Sequence, residues 1–177
     1  MTDVKQSIDV LSRALDQAAD VLAAVPADTL SARTPCNDWD VAKLIAHLVA
    51  GPRRFVLMTR GEQPDWSTEP PLPDDWTVEF RTAAAELLRT WHEAGDAASP
   101  QAADWQTAEF AIHTWDLARA TGQSTDLDPE VAQRGLVFMS QALTTDNRGE
   151  AFGPSVSISD DAPVYERLVA FAGRDPR

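Results

Sequence analysis

Apolar residues recur every three or four positions over most of this chain, and this spacing limits its fold more than any other feature. In the first such stretch, from Val4 to Val25, they fall on one face of a helix with about 3.6 residues per turn. Further stretches with the same spacing follow, separated by clusters of proline, glycine, aspartate and serine that are typical of turns. The sequence therefore predicts an all-α protein.

Capping and turn residues indicate where the following helices begin and end. Asn37 or Asp38 could cap the second helix, and glycine suits the turn that closes a helix, so we expect an end near Arg60 and Gly61. Four long helices joined by loops, followed by a shorter fifth, predict a four-helix bundle with one additional short helix. The third, fourth and fifth helices are expected at about Trp76–Glu93, Asp104–Ala120 and Pro129–Leu143.

The C-terminal part follows a different pattern. In "FGPSVSISDDAP", residues 152–163, Val156 and Ile158 alternate with serines, but proline and aspartate flank them. We expect an extended strap over the bundle rather than a strand of a sheet, followed by a short helix within "PVYERLVAFAG". With 177 residues, of which 44% are hydrophobic, the chain is expected to form a single domain over residues 1–177.

Charge and composition exclude several classes of partner. The net charge is −13, and no basic patch is visible that could neutralise nucleic-acid phosphates or attract the chain to an anionic membrane surface. No apolar run approaches the roughly 20 residues of a membrane helix, and the N-terminal residues lack the features of a signal peptide. The single cysteine, Cys36, can form no internal disulfide and agrees with a location in the reducing cytoplasm.

One long loop interrupts the helical pattern. "EQPDWSTEPPLPDDW", residues 62–76, combines four prolines with acidic residues and two tryptophans. Loops of this length inside a compact domain are usually functional or mobile. The segment from Gln63 to Asp75 is therefore either a lid over a site or an inert connector, and the sequence leaves both interpretations open.

The stretch "AEFAIHTWDLARATG", residues 108–122, contains the pattern with the most chemical meaning. Glu109 and His113 are four residues apart in a helix, so they project from the same face and both can reach one divalent metal ion. His47, on the apolar side of the second helix, could supply a third ligand from a facing helix, as in other bundles. Three protein ligands leave a coordination position open, which is typical of a catalytic zinc site.

The spacing of this pair also has a simpler interpretation. Most glutamate–histidine pairs at this spacing are solvated surface pairs, and a lone histidine such as His47 is more often a satisfied core residue. The apolar neighbours of the pair argue against a surface position, because a buried carboxylate without a partner is costly. His92, near the end of the third helix, is expected to be exposed and to stabilise the last turn electrostatically.

Two charged residues are candidates for supporting roles. Asp116 follows His113 by three residues and could accept a hydrogen bond from a ligand histidine, or it could pair with an arginine such as Arg119 or Arg54. Arg54 lies on the same side of its helix as His47 and could bind a carboxylate of a thiol or substrate. The alternative for Arg54, which is favoured in so acidic a protein, is a solvated arginine at a helix end.

Two tryptophans and the cysteine complete the set of candidates. Trp39 and Trp115 could line the mouth of a pocket or pack inside the bundle, and packing is favoured for both. The position of Trp115 nearly opposite His113 adds to that preference. Cys36 precedes a helix N-terminus, which favours a thiolate. Because no histidine is near Cys36 in the sequence, a structural thiol is favoured over a catalytic one.

Three blocks, in order, resemble a known family. They are "TPCNDWDVAKLIAHLVAGPRRF", "EFAIHTWDLARATG" and "FGPSVSISDDAPVYERLVAFAGRDP". Together they resemble the actinobacterial metal-binding proteins related to the N-terminal domain of mycothiol-dependent maleylpyruvate isomerase, within the wider DinB-like group of four-helix bundles. The resemblance covers essentially the whole chain. It implies that His47, Glu109 and His113 hold a metal ion, usually zinc.

The resemblance also implies a function. Better-known members of the family use the metal to bind the low-molecular-weight thiol mycothiol and to make it nucleophilic, which favours a thiol S-transferase or isomerase acting on a small electrophile. The isomerase carries an additional C-terminal domain, whereas this chain ends at Arg177, so we expect a thiol transferase or a relative with another substrate. The expected oligomeric state is a monomer or a homodimer.

Two other functions remain as alternatives. One is a non-catalytic helix bundle that binds a metal or another small ligand with the same three residues. The other is a metal-dependent hydrolase, which is weaker because Glu109 would serve as a ligand and Asp116 would be the one remaining candidate for a general base.

Overall fold

The computed structural model describes residues 4–36, 39–148 and 152–177, and these form six α-helices. The described part contains no β-strand, and its one β-type pairing is an isolated bridge between Arg33 and Asp40. The expectation of an all-α protein is therefore confirmed. The helices are α1 (Val4–Ala23), α2 (Val41–Thr59), α3 (Trp76–Ala94), α4 (Pro100–Ala120), α5 (Pro129–Ala142) and α6 (Val164–Phe171).

The first four helices form the bundle. Helix α1 packs against α3 and α4, and α2 packs against the same two helices, so all four apolar faces meet in one core. Helix α5 covers α4, and α6 covers α5. Residues 152–163 are neither helix nor strand, and the N–H of Val156 donates to the carbonyl of Ala170 at 2.8 Å, which ties the predicted strap to α6.

Two helices begin at positions that differ from the prediction. Helix α2 begins at Val41, because the side chain of Asp40 accepts a hydrogen bond from the Lys43 N–H at 2.8 Å. The predicted caps Asn37 and Asp38 are therefore wrong, and both lie outside the described residues.

Helix α4 begins at Pro100, four residues before the predicted Asp104. The side chain of Ser99 caps it by accepting from the Ala102 N–H, and Pro100 suits the first turn, where its missing N–H has no cost. Helix α1 ends at Ala23 rather than Val25, since the residue before a proline disfavours the helical conformation and Pro26 follows. The predicted ends of α3 and α5 are each one residue away from the observed ends.

A small residue lets α2 and α4 approach each other closely. Gly51 is buried, and a Cβ atom at this position would lie 3.2 Å from the ring of Phe110. Gly51 is one turn after His47, and Phe110 follows Glu109, so the close approach brings the two candidate ligands to the same level of the bundle. Pro52 lies inside α2, which nevertheless continues to Thr59.

Among the described residues, no helix combines the length and the apolar character that crossing a membrane requires.

Candidate metal centre

The three predicted ligands lie together between α2 and α4. Oε1 of Glu109 is 2.8 Å from Nε2 of His47 and 3.3 Å from Nε2 of His113. The two imidazole rings are edge to face with centroids 4.8 Å apart, and one donor atom from each of the three residues lies within 4.8 Å of the others. Both histidines are buried and Glu109 is largely buried. We refer to these three residues as the donor set.

Asp116 holds one of the two histidines from within α4. Its Oδ2 is 3.2 Å from Nδ1 of His113, which agrees with the expected hydrogen bond to a ligand histidine. The side chain is completely buried and also accepts two hydrogen bonds from Arg174, at 3.2 and 2.9 Å. The predicted arginine partners, Arg119 and Arg54, are therefore wrong, because the chain after α6 brings Arg174 to Asp116 instead. We refer to Asp116 and Arg174 as the helix arm.

Glu69 holds the other histidine from the loop between α2 and α3. Its Oε1 is 3.0 Å from Nδ1 of His47, and its Oε2 accepts from Arg54 at 3.1 Å. Arg54 also donates to the carbonyl of Thr68 at 2.8 Å and is buried, so the alternative of a solvated arginine is wrong. The carboxylate that Arg54 binds in the structure is Glu69, and its role toward a ligand stays a prediction. We refer to Glu69 and Arg54 as the loop arm.

The two arms give both histidines the same orientation. In each case Nδ1 faces a carboxylate, which favours a proton on that nitrogen, and Nε2 faces Glu109. A histidine that donates from Nδ1 has a free electron pair on Nε2 with which to bind a metal ion. Two imidazole nitrogens and one carboxylate oxygen are donors that zinc accepts, so the residues present fit a divalent metal.

Two tryptophans cover the histidines. The ring of Trp39 is stacked at 25° on His113, with centroids 5.8 Å apart, and its centroid lies 4.6 Å from that of His47. Trp66 comes from the proline-rich loop, and its ring centroid lies 6.3 Å from that of His47. The guanidinium of Arg54 stacks over the face of the Trp66 ring. Through Trp66 and Glu69 the loop contacts the site directly, and its role as a lid stays a prediction.

Cys36 lies closer to the site than its sequence position indicates. One donor atom from each of Cys36, His113 and Asp116 lies within 4.8 Å of the others, and Cys36 is half-buried. The sequence neighbours of Cys36 gave no sign of this contact, because His113 and Asp116 are far from it in the chain and come close only in the fold. Trp115 is 2% exposed and packs in the core, and His92 is exposed, both as predicted.

Burial and charge act in opposite directions on the titrating groups of the site. Burial alone would raise the pKa of Glu109, but the charge and hydrogen bond of His113 and the hydrogen bond of His47 outweigh it, so the pKa lies well below its ordinary range. Burial would lower the pKa of His113, yet the carboxylate of Glu109 and the hydrogen bonds of Asp116 and Cys36 raise it well above its ordinary value. Without a metal ion, His113 and Glu109 therefore form an ion pair.

The carboxylates of the two arms also favour the charged form. Burial opposes ionisation of Asp116, but its hydrogen bond with His113 and the charge of Arg174 lower its pKa. The pKa of Glu69 is lowered in the same way, against burial, by its hydrogen bond with His47 and by the charges of His47 and Arg54. Both groups are therefore anions that can accept the histidine N–H.

Sequence reasoning missed two residues, Glu69 and Arg174. Glu69 stands among prolines, where no helical spacing relates it to His47. Arg174 comes after α6, and the one signal for it was its place in the "GRDP" end of the third family block.

A family model matches this architecture and sequence. The model of the mycothiol maleylpyruvate isomerase N-terminal domain matches residues 11–118. The chain belongs to this family. The matched region contains the whole donor set together with Glu69, Arg54 and Asp116, whereas Arg174 lies beyond it. The protein is thus a mycothiol-related, DinB-like helical domain that has side chains able to hold a metal ion.

Two similar relatives come from Mycobacterium tuberculosis. Uncharacterized protein MT0763 of strain CDC 1551 / Oshkosh is 34% identical over 182 residues, which cover 93% of this chain and 96% of the relative. Uncharacterized protein Rv0738 of strain ATCC 25618 / H37Rv has the same identity and the same coverage. No solved structure shows a significant match to the chain.

Proposed function

We propose that the donor set holds a divalent metal ion, with zinc as the expected metal. We further propose that the protein is a thiol S-transferase or isomerase that uses this metal with a low-molecular-weight thiol such as mycothiol. The second reactant is a small electrophile. The single cysteine fits a reducing cytoplasm, where we expect the protein to act. The observation that carries the proposal is the convergence of two histidine Nε2 atoms on Oε1 of Glu109.

The chemistry of the donor set supports this function. When bound, a zinc ion supplies positive charge that lowers the pKa of a thiol coordinated to it, and three protein ligands leave a position open for that thiol. The arms keep the Nε2 atoms of His47 and His113 directed toward that ion. Trp39 covers both histidine rings and limits the access of water.

The proposed reaction forms one new carbon–sulfur bond. The thiol loses its proton, and its sulfur bonds to the electrophilic carbon of the second reactant. In an addition the proton returns to the adduct. In a displacement the departing group leaves with the electron pair of the bond that breaks, and the proton of the thiol is released with it. In an isomerisation the same carbon–sulfur bond later breaks and releases the thiol.

The hydrolase alternative loses support at Asp116. A hydrolase needs a free general base near the reacting water, and Asp116 was the candidate. In the structure both carboxylate oxygens of Asp116 accept from Arg174, and Oδ2 also lies 3.2 Å from Nδ1 of His113. Asp116 therefore fits the role of orienting His113 better than that of a base.

Metal analysis of the purified protein tests the first half of the proposal. We expect one zinc ion per chain after dialysis against zinc, and loss of that ion in His47→Ala and in His113→Ala. His92→Ala is the matched control, because His92 is the third histidine of the chain and is exposed on α3. Equal metal content in all four proteins, or no stoichiometric metal in any of them, would contradict the proposal.

Calorimetric titration with thiols tests the second half. We expect saturable heat when mycothiol is added to the zinc-loaded protein and no saturable heat when it is added to His113→Ala. Glutathione and cysteine serve as the comparison thiols. Binding of zinc without binding of any thiol would contradict thiol chemistry and would favour the non-catalytic metal-binding bundle.

A further inference from the structure

A small apolar pocket opens beside the donor set and shares one residue, Glu109, with it. Its volume is about 150 Å³, and it lies between α4, α5 and the strap. Trp105, Glu109 and Ile112 line it from α4, Phe138 and Met139 from α5, and Phe152 from the strap. Because Glu109 belongs both to this wall and to the donor set, a molecule in the pocket would lie next to the donor atoms.

The lining determines which chemical groups the pocket accepts. Glu109 is the one charged side chain among the described residues that line it, so the pocket offers no cation to a carboxylate or phosphate. A carboxylate placed there would lose its hydration among apolar side chains and gain no cationic partner, which is costly. An engineered, enclosed cavity of about 150 Å³ lined by leucine, isoleucine and phenylalanine takes up benzene, which sets the size of ligand that this volume accepts.

We propose that this pocket binds an uncharged hydrocarbon group of the electrophile, of the size of one aromatic ring or a branched alkyl chain of about six carbons. This inference rests on the proposed function and names its substrate class. The hydrocarbon group fills the pocket and the reactive carbon lies at its Glu109 end. The substrate is therefore an apolar electrophile rather than a dicarboxylate.

Fluorine NMR with two matched probes tests the class of ligand. The probes are 4-fluorotoluene and 4-fluorobenzoate, which have the same ring and differ in a methyl or a carboxylate group. We expect saturable binding of 4-fluorotoluene to the full chain, with a Kd of about 1 mM for so small a molecule, and no saturation with 4-fluorobenzoate. Equal binding of both probes, or saturation with neither, would overturn the proposal.

A pair of variants locates the binding. Ala142 lines the pocket and is exposed at the end of α5, so Ala142→Phe can fill the opening without disturbing the core. Gln141→Phe is the matched control, because Gln141 is the exposed neighbour and does not line the pocket. We expect Ala142→Phe to weaken 4-fluorotoluene binding about tenfold and Gln141→Phe to leave it unchanged. Equal affinity in the two variants would overturn the proposal.

Loading the protein with different metals separates this inference from the proposed function. Co²⁺ is paramagnetic and Zn²⁺ is not, so a fluorine nucleus beside the donor set relaxes faster in the cobalt-loaded protein. We expect this faster relaxation for 4-fluorotoluene, and its absence in a protein that retains one Co²⁺ per chain would overturn the proposal. A protein that binds 4-fluorotoluene but no metal would contradict the metal function while supporting the ligand class of the pocket.

Discussion

Two carboxylates hold the two histidines of the donor set, and the protein builds them in different ways. Asp116, of the helix arm, is completely buried on the same helix as His113. Glu69, of the loop arm, comes from the proline-rich loop, and its side chain keeps 14% of its exposure. Each carboxylate is paired with a largely buried arginine. The same orienting task is thus performed once from a rigid helix and once from a loop at the surface.

The difference indicates that the arms serve folding and binding to different degrees. Removing one partner of a buried ion pair leaves a charge without compensation, so we expect the loss of either partner of the helix arm to destabilise the fold. A carboxylate on a loop can be lost with less damage to the core, so its main effect is on the histidine it orients. The following predictions separate these two contributions.

The largest expected effect is on stability and comes from the helix arm. Arg174→Met leaves the buried Asp116 with His113 as its remaining partner, which it shares with Glu109, so one negative charge is uncompensated and we expect the free energy of unfolding to fall by about 3–5 kcal/mol. Urea denaturation of the metal-free protein measures it. In the double variant Asp116→Asn/Arg174→Met the unpaired charge is absent, so we expect part of the stability to return. A loss below about 1 kcal/mol for Arg174→Met would place the helix arm outside the folding core.

The next effect is on metal affinity and comes from the loop arm. Glu69→Gln removes the charge that faces Nδ1 of His47, and we expect zinc affinity to fall about 10- to 100-fold. Competition with a chromogenic chelator measures the affinity. Glu62→Gln is the matched control, since Glu62 lies near the start of the same loop and is exposed. If Glu69→Gln instead unfolded the protein as readily as Arg174→Met, the distinction between the arms would be lost.

The pH dependence of zinc binding tests the electrostatics around His113, the histidine of the helix arm. The pKa of His113 is raised above its ordinary value of 6.5, so at pH 7 its Nε2 carries a proton that a metal ion must displace. Affinity should therefore rise with pH, by up to about tenfold per pH unit, until the pH exceeds that raised pKa. Calorimetry in two buffers of different ionisation enthalpy should detect release of a proton on binding. Zinc affinity that does not change between about pH 6 and pH 8, the range in which histidine titrates, would contradict the His113–Glu109 ion pair.

The smallest expected effect concerns the tryptophan of the loop. Trp66 lies 5.1 Å from the guanidinium carbon of Arg54, and a cation–π contact at a partly exposed site contributes about 0.5–1 kcal/mol. We expect Trp66→Leu to lower zinc affinity by no more than a few-fold, because Glu69 still orients His47. The same chelator competition measures it. A loss larger than that of Glu69→Gln would show that the ring, rather than the carboxylate, organises the loop arm.

The contrast between the arms also explains how much the sequence could predict. Helical spacing relates residues three or four apart. It therefore predicted the pairing of Glu109 with His113 and the position of Asp116 on the same helix face, one turn after His113. It also predicted the helices of the bundle, because their apolar faces repeat with that spacing. The third candidate ligand, His47, required a facing helix, and the close approach at Gly51 supplies it.

The remaining parts of the site depend on where irregular segments lie in space. No periodicity relates Glu69 to His47 or Arg174 to Asp116, because a proline-rich loop and the chain after α6 bring them there. The position of Cys36 beside His113 has the same origin. The sequence predicted the wrong first residues for α2 and α4, because several residues could act as N-caps. The folded backbone shows that Asp40 and Ser99 are the caps.

X-ray absorption spectroscopy of the zinc-loaded protein tests the central claim most directly, because it reports the atoms bound to the ion. The account predicts two imidazole nitrogens and a carboxylate oxygen at about 2.0–2.2 Å, with no sulfur ligand from the protein. His92→Ala should give the same spectrum as the unmodified protein. A sulfur ligand at about 2.3 Å, which Cys36 would have to supply, would contradict the assignment of the donor set.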